Sequence, residues 1–458
     1  MLPHLIAPDL EQLVAARDVA TIREVIEEWS EVDLAALIPE LTPQSRALVF
    51  RVLPKDLASD TFAYCDFDTQ QELIHDLARE EMAELLNEMS PDDRTQFFED
   101  LPANVVQELI TTLNAEERAI ALALLNWPED SVGRLMTPDY IVVKRHWTVQ
   151  QALDHIRMYG KDSEILTHLY VTEHGTLVDD IHVREILLAS PDTFIEDIMD
   201  YSAESLLATD DQETAVLEFK RLDRFALPVV DRENKLLGIV TVDDVLDVAE
   251  EEATEEMQKF GGMEALDESY MDSTILELFR ARAVWLVVLF FGGILTAAAL
   301  TYFESMIDRA VILAILLPMI ISNGGNSGSQ TATLIVRAMA LGEVSVADWW
   351  RIVSREVLIG SMLGVMLGTM GFLRIVVWAW VDGTFTGSTL LIGAVVFLSL
   401  VGIVIAGTTS GSVLPLLMKR LGFDPAASSA PFVATFSDVT GTVIYFTIAS
   451  LILAGVLL

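Results

Sequence analysis

The chain has 458 residues, a single cysteine and a formal net charge of −40. That length accommodates several domains, the lone Cys65 excludes an internal disulfide and a CxxC metal site, and so acidic a balance excludes a nucleic-acid surface. The imbalance is confined: residues 281–458 hold eight acidic and eight basic side chains, which leaves 61 acidic against 21 basic in residues 1–280. A strongly acidic, water-facing part is therefore joined to a neutral, apolar one. The acid reads either as a solubilising surface or as a cation-responsive one.

At the N-terminus, MLPHLIAPDLEQL has no basic region and no long apolar run, so it is not a signal peptide. Residues 10–130 predict short helices broken by turns. Apolar-periodic runs such as Thr69–Met89 and Ala103–Leu113 alternate with Leu53-Pro54, Ser90-Pro91-Asp92-Asp93 and Leu101-Pro102. Ser90 with Asp93 forms a capping box with Asp in place of Glu. The pattern suits a helical superhelix and contains no catalytic cluster.

A repeat follows. Leu135-Met136-Thr137-Pro138 opens one unit and Ile198-Met199-Asp200-Tyr201 opens another. The first unit predicts a helix over 148–156, a strand at Leu169–Val171 and a turn at Glu173-His174-Gly175. The second predicts a helix over 213–222, strands at Ala226–Val230 and Leu237–Val240, and a turn at Asp231–Asn234. With no nucleophile, base or phosphate loop, this paired β-α-β arrangement reads as regulatory rather than enzymatic. Asp243, Asp244 and Asp247 then lead into Glu250, Glu251, Glu252, Glu255 and Glu256. Acid near a helix N-terminus complements the dipole, yet another acidic surface packed there requires bridging cations. Met257–Leu278 is expected to continue as one helix into the apolar part.

Five apolar stretches come next, about 283–303, 310–336, 357–380, 388–418 and 431–458, each of the roughly 20 residues that cross a bilayer. Arg280 and Arg282 precede the first; Arg337, Arg351 and Arg355 lie between the second and third; Lys419 and Arg420 lie between the fourth and fifth. Basic loops belong inside, which puts the acidic part in the cytoplasm and the C-terminus outside. Two places break the apolar pattern. Ser322-Asn323-Gly324-Gly325-Asn326-Ser327-Gly328-Ser329-Gln330-Thr331 interrupts the second span, either as a polar, water-lined neck or as a close-packing seam of small residues. Asp438 lies within the fifth, and a carboxylate there is costly unless it meets water or a partner. A cation site on a permeation path fits it, with Thr435, Thr440 and Thr442 as further oxygens; a hydrogen-bonded structural Asp is the alternative. Oxygen ligands and the absence of His and Cys from the spans suit a hard divalent ion, and magnesium keeps much of its hydration.

In that order and behind tandem units of this kind, three segments are specific: Pro318–Gln330 followed by Thr333–Ala338, then Leu414–Ala426, then Pro431–Tyr445. By them the chain closely resembles the MgtE family of magnesium transporters over almost its full length. The resemblance implies a multidomain membrane protein: an all-α superhelical N domain (1–130), tandem α/β CBS domains (131–195 and 196–253), a connecting plug helix (254–280) and a five-helix transmembrane domain (281–458). It implies a homodimer in a bacterial inner membrane that passes Mg2+ inward down its gradient, with no enzymatic activity. The pore would form from the second and fifth spans, with Asp438, Asn326, Gly328, Thr435 and Thr440 along it. Cytosolic Mg2+ would close it by bridging Asp210, Glu213, Asp223, Asp244, Asp247, Glu252, Glu255, Glu256 and Asp424, with Glu88, Asp92 or Asp93 joining from the N domain. Some members bind ATP between the CBS units, where Thr241 and Asp244 resemble the ribose-contacting pair. Asp179 and Asp180 depart from the family's Gly-containing pair and are expected to alter that hairpin. A coupled carrier for Co2+ or Mn2+ and a non-conducting cation sensor are the competing readings.

Overall fold

The computed structural model describes residues 2–26, 29–99, 101–161, 163–266, 270 and 273–454. They form two compact units, Met1–Ala249 and Glu250–Leu458.

The first unit opens with short helices. Their starts are fixed by side chains that satisfy exposed backbone donors: Ser30 accepts from Asp33 N, Asp66 from Thr69 N, and Asn114 from both Glu116 N and Glu117 N. The run expected over Thr69–Met89 is two helices, Phe67–Asp76 and Arg79–Glu88, because Leu77 and Ala78 are extended. One face of each helix enters a common core that includes Leu10, Ile22, Leu34, Phe62, Leu86 and Phe97.

Two three-stranded sheets follow. β1 (Val142–Val143) pairs in parallel with β2 (His168–Glu173), which pairs antiparallel with β3 (Thr176–His182); β4 (Leu206–Leu207), β5 (Ala226–Val230) and β6 (Leu236–Thr241) repeat the arrangement. The registers superimpose: Asp179 stands opposite Val171 as Gly238 stands opposite Val229. The Asp179-Asp180 departure therefore leaves the hairpin pairing intact, contrary to expectation. The reason is that both carboxyls find donors elsewhere. Asp179 Oδ2 accepts from the amides of Asp200 (2.9 Å) and Tyr201 (3.1 Å), and Asp180 accepts from Arg224 (2.8 Å).

The acidic helix, Val242–Phe260, ends sooner than the sequence suggested. Gly262 adopts φ 79°, a left-handed turn that glycine takes without strain. The next helix starts afresh at Ile275 behind a Thr274–Glu277 capping box. The single helix expected over Met257–Leu278 is thus broken: one helix ends at Phe260 and another begins at Ile275, and residues 267–269 and 271–272 lie outside the described residues.

Five helices of the second unit are long and apolar enough to cross a membrane: Ile275–Tyr302, Val311–Ala340, Trp349–Val381, Gly387–Arg420 and Ala430–Leu453, hereafter spans one to five. Residues 455–458 of the expected fifth stretch lie outside the described residues. Span two stays helical through its polar segment and past Pro318, so its backbone is satisfied internally. It packs on spans four and five. Ala310, Leu313, Ile320, Val396, Ile403, Tyr445 and Phe446 share their core, and Tyr445 Oη donates to Leu313 O at 3.0 Å.

Candidate cation sites

In the first unit, the helix Pro91–Glu99 carries Asp92 and Asp93. Its placement rests on Arg94, a fully buried guanidinium that donates to Leu86 O (2.9 Å) and Met89 O (3.3 Å) and pairs with Glu117 at 2.6 Å. Leu86 O and Met89 O lie at the end of the preceding helix, where carbonyls lack intrahelical donors. So anchored, the helix presents its acids to acids from both sheet-containing halves. Burial, then the charges of Asp244, Asp93 and Glu164, push Asp92 well above the carboxylate range. Burial pushes Asp244 up to about 7 against the opposing Thr241 hydrogen bond (2.6 Å), and the charges of Asp243, Asp93 and Glu164 act in the same direction. Burial likewise raises Asp93; its Oδ2 accepts from Ser90 Oγ at 2.6 Å, and the charges of Asp243 and Asp247 add to the rise. Glu164 keeps a solvent-exposed edge, yet the protein around it and then the charges of Asp93 and Asp243 push it up to about 7. Asp92 Oδ1 is buried with no hydrogen-bond partner.

An unpartnered buried carboxylate oxygen facing other carboxylates is a poor arrangement for protein alone and a good one for a cation. Among the described residues, no three His, Cys, Asp or Glu side chains converge closely enough to cage a bare ion. Magnesium does not need such a cage; one or two carboxylates and retained waters serve it. The residues present therefore fit a hydrated divalent ion. Sequence reasoning pointed to Asp92, Asp93 and Asp244, and to Asp243 as part of the acidic run, but missed Glu164 and Asp60. Asp60 and Glu164 sit on ordinary polar stretches, and only the fold brings their charge to bear on this cluster.

The other expected acids are dispersed. Glu213 lies in the first turn of the helix Gln212–Leu222 and Asp223 at its C-terminal end, so both are exposed and roughly 15 Å apart along the axis. Asp210 Oδ2 accepts from Leu207 N at 3.3 Å. Asp247, Glu252, Glu255 and Glu256 lie along the acidic helix. In the second unit, Glu255 and Asp424 do come together, but around a lysine: Lys259 Nζ is 2.5 Å from Glu255 and 3.1 Å from Asp424.

Within the membrane-spanning part, span two resolves the two readings of its polar segment residue by residue. Gly324, Gly328 and Ser327 are buried. Gly407 and Gly411 of span four lie so close that a methyl group on either would collide with the carbonyl oxygens of Gly324 and Gly328. Ser322, Asn326 and Gln330, four residues apart and so on one face, are exposed. An uncovered polar stripe in mid-span cannot face lipid. On span five, Asp438 is half-buried, and its carboxyl makes no hydrogen bond or ion pair among the described residues. Thr442 Oγ1 donates to Asp438 O (2.7 Å), Thr435 Oγ1 to Pro431 O (2.9 Å) and Thr440 Oγ1 to Phe436 O (3.0 Å). With their protons committed to the helix, the Thr435 and Thr440 hydroxyl oxygens remain as acceptors, the partners that the O–H groups of a hydrated ion require, whereas Thr442, expected as a further oxygen, is fully buried and out of an ion's reach.

Comparison with known proteins matches residues 317–448 to the family MgtE, described as a divalent cation transporter; residues 29–130 match the MgtE intracellular N domain, and 132–192 and 195–251 match CBS domains. The chain is 39% identical to the magnesium transporter MgtE of Thermus thermophilus over 455 residues, covering 98% of this chain and 99% of that protein. It is 29% identical to the magnesium transporter MgtE of Bacillus subtilis over 444 residues, covering 96% of each. The crystal structure of the cytosolic domain of the Mg2+ channel MgtE in complex with ATP is similar at a TM-score of 0.50 and 34% identity, covering 53% of this chain and 99% of that one.

Proposed function

The chain belongs to the MgtE family of magnesium transporters, and from that premise we propose that Mg2+ crosses the membrane hydrated, between spans two and five of two copies of the chain. It is a multi-pass membrane transporter and not an enzyme. The observation that carries the proposed path is the exposed stripe of Ser322, Asn326 and Gln330 on span two, together with an Asp438 carboxyl on span five that makes no hydrogen bond or ion pair among the described residues. A second copy related by a two-fold axis would cover the stripe and bring two such carboxyls to one aqueous neck. One carboxylate per chain and hydroxyl acceptors suit an ion that keeps its waters. An inward-negative potential would favour entry by about 4.6 kcal/mol for a divalent ion per 100 mV. The basic residues Arg351, Arg355, Lys419 and Arg420 support a cytoplasmic N-terminus and an outside C-terminus.

The acidic cluster supports closure by the transported ion. Asp92, Asp93, Glu164 and Asp244 repel one another when ionised, and Mg2+ would replace that repulsion with attraction and hold the N domain on the CBS pair. Asp210, Glu213, Asp223, Asp247, Glu252, Glu255, Glu256 and Asp424 are proposed as secondary points of contact with the ion. For ATP, Thr241 and Asp244 are bonded to each other inside the cluster. A polyphosphate brought there would add negative charge to crowded carboxylates, so ATP binding at this pair is proposed only for the opened arrangement.

The test is Mg2+ uptake into liposomes by the full chain with Asp438→Ala. Uptake should fall at least tenfold, and patch recordings of the wild type should show currents that cytosolic Mg2+ suppresses. Unchanged uptake and selectivity in Asp438→Ala would reject the path. Proton flux stoichiometric with metal flux would favour a coupled carrier, and absence of any flux a sensor.

A further inference from the structure

One carboxyl group in the second unit lies outside the path proposed above. Glu356, two turns into span three, is buried at 9% exposure. Its Oε2 accepts from Thr331 Oγ1 of span two at 3.0 Å, and its main-chain carbonyl accepts from Thr408 Oγ1 of span four at 3.2 Å. Thr331 and Thr408 are themselves 4% and 1% exposed. A single residue of span three thus holds both neighbours. Glu356 stands at the edge of the apolar run, yet burying a carboxyl there is still costly, and packing alone is served by apolar side chains, as at Ile352 on the same face.

What the contact supplies follows from the seam beside it. Spans two and four meet through Gly324, Gly328, Gly407 and Gly411, backbone against backbone. Such a seam brings helices close and carries few side-chain knobs of its own; apolar side chains interlock only to either side of it, Leu313 and Ile320 with Val396 and Ile403, and Ile335 and Met339 with Ile352 and Leu416. Thr331 lies next to Gln330 and five residues after Asn326, about 100° and 140° away around the helix. A directional hydrogen bond at Thr331 adds, at the end of this glycine stretch, the constraint that fixes where the Asn326–Gln330 stripe points.

We propose that Glu356 is a positioning residue that locks the rotation of span two through Thr331 and so aims Asn326 and Gln330 at the ion path. The inference rests on the reading that span two lines that path. The hydrogen bond, not the charge, does the positioning, so the side-chain carbonyl of glutamine performs it as well.

The experiment uses the full chain in liposomes, with Mg2+ uptake per inserted protein and the ratio of Mg2+ to Ca2+ uptake as readouts. Glu356→Leu and Thr331→Val should each lower uptake about tenfold and shift the ratio, and the double variant should be no worse than Glu356→Leu. Glu356→Gln should stay within about twofold of wild type. Glu356→Gln as impaired as Glu356→Leu would overturn the proposal, because charge would then be the active property. Should Glu356→Leu fail to insert, the contrast between Thr331→Val and Glu356→Gln decides alone. Asn326→Ala separates the two ideas. If it lowers uptake while Thr331→Val behaves as wild type, the lock is wrong; if it is itself without effect, the path reading fails instead.

Discussion

Asp244→Asn isolates the electrostatic cost of closing the cytosolic cluster. The Asp244 carboxyl rises from an ordinary value of 3.8 to about 7, first because of burial and then because of Asp243, Asp93 and Glu164. A group whose value rises on closure binds its proton more tightly in the closed state. Its contribution is therefore fully favourable below about pH 4 and declines as pH climbs to about 7. Above that, the closed arrangement bears the whole cost of an ionised Asp244, up to roughly 4 kcal/mol and less where water enters. Asparagine keeps an oxygen to accept from Thr241 and removes the charge. Protease protection of residues 1–280 in the full chain reads the closed fraction. Without Mg2+ at pH 8 the wild type should be cleaved much faster than at pH 5.5, and Mg2+ should protect strongly only at the higher pH. Asp244→Asn at pH 8 without Mg2+ should be cleaved at least tenfold more slowly than wild type, since 1.4 kcal/mol suffices for that factor. Its further gain from Mg2+ should shrink. A variant no better protected than wild type, with an undiminished Mg2+ response, refutes the cluster as the seat of closure.

Two further perturbations probe other parts. Lys259→Gln removes the cation between Glu255 and Asp424; because both pairs keep solvent contact, each contributes at most about 1 kcal/mol. The Mg2+ concentration that half-closes the pore in patch recordings should rise by a few fold, and an unchanged midpoint would show that the lysine bridge does not aid closure. Gly411→Ala forces a methyl group into the carbonyl oxygen of Gly328. It should cost about 1–3 kcal/mol and lower the melting temperature in detergent, whereas an unaltered melting curve would mean that spans two and four are not tightly seated.

The sequence by itself determined the architecture. Hydrophobic runs of bilayer length, helix-capping side chains and β-branched runs bounded by turn residues are local signals, and they marked the five spans and both hairpins. Local chemistry likewise singled out Asp438, because a lone carboxylate in an apolar run is conspicuous. Only the tertiary structure decided which groups act together. The helix predicted over Met257–Leu278 breaks because Gly262 turns and Thr274 starts a new helix, and the break seats Lys259 beside Asp424. The polar segment of span two had two opposed readings, and packing divided it: glycines buried against span four, amides exposed on the other face. Glu164 and Glu356 carried no signal in sequence at all. What a carboxyl does depends on the charges, donors and water around it, and those come from residues distant in the chain: Asp93 and Asp243 for one, Thr331 for the other.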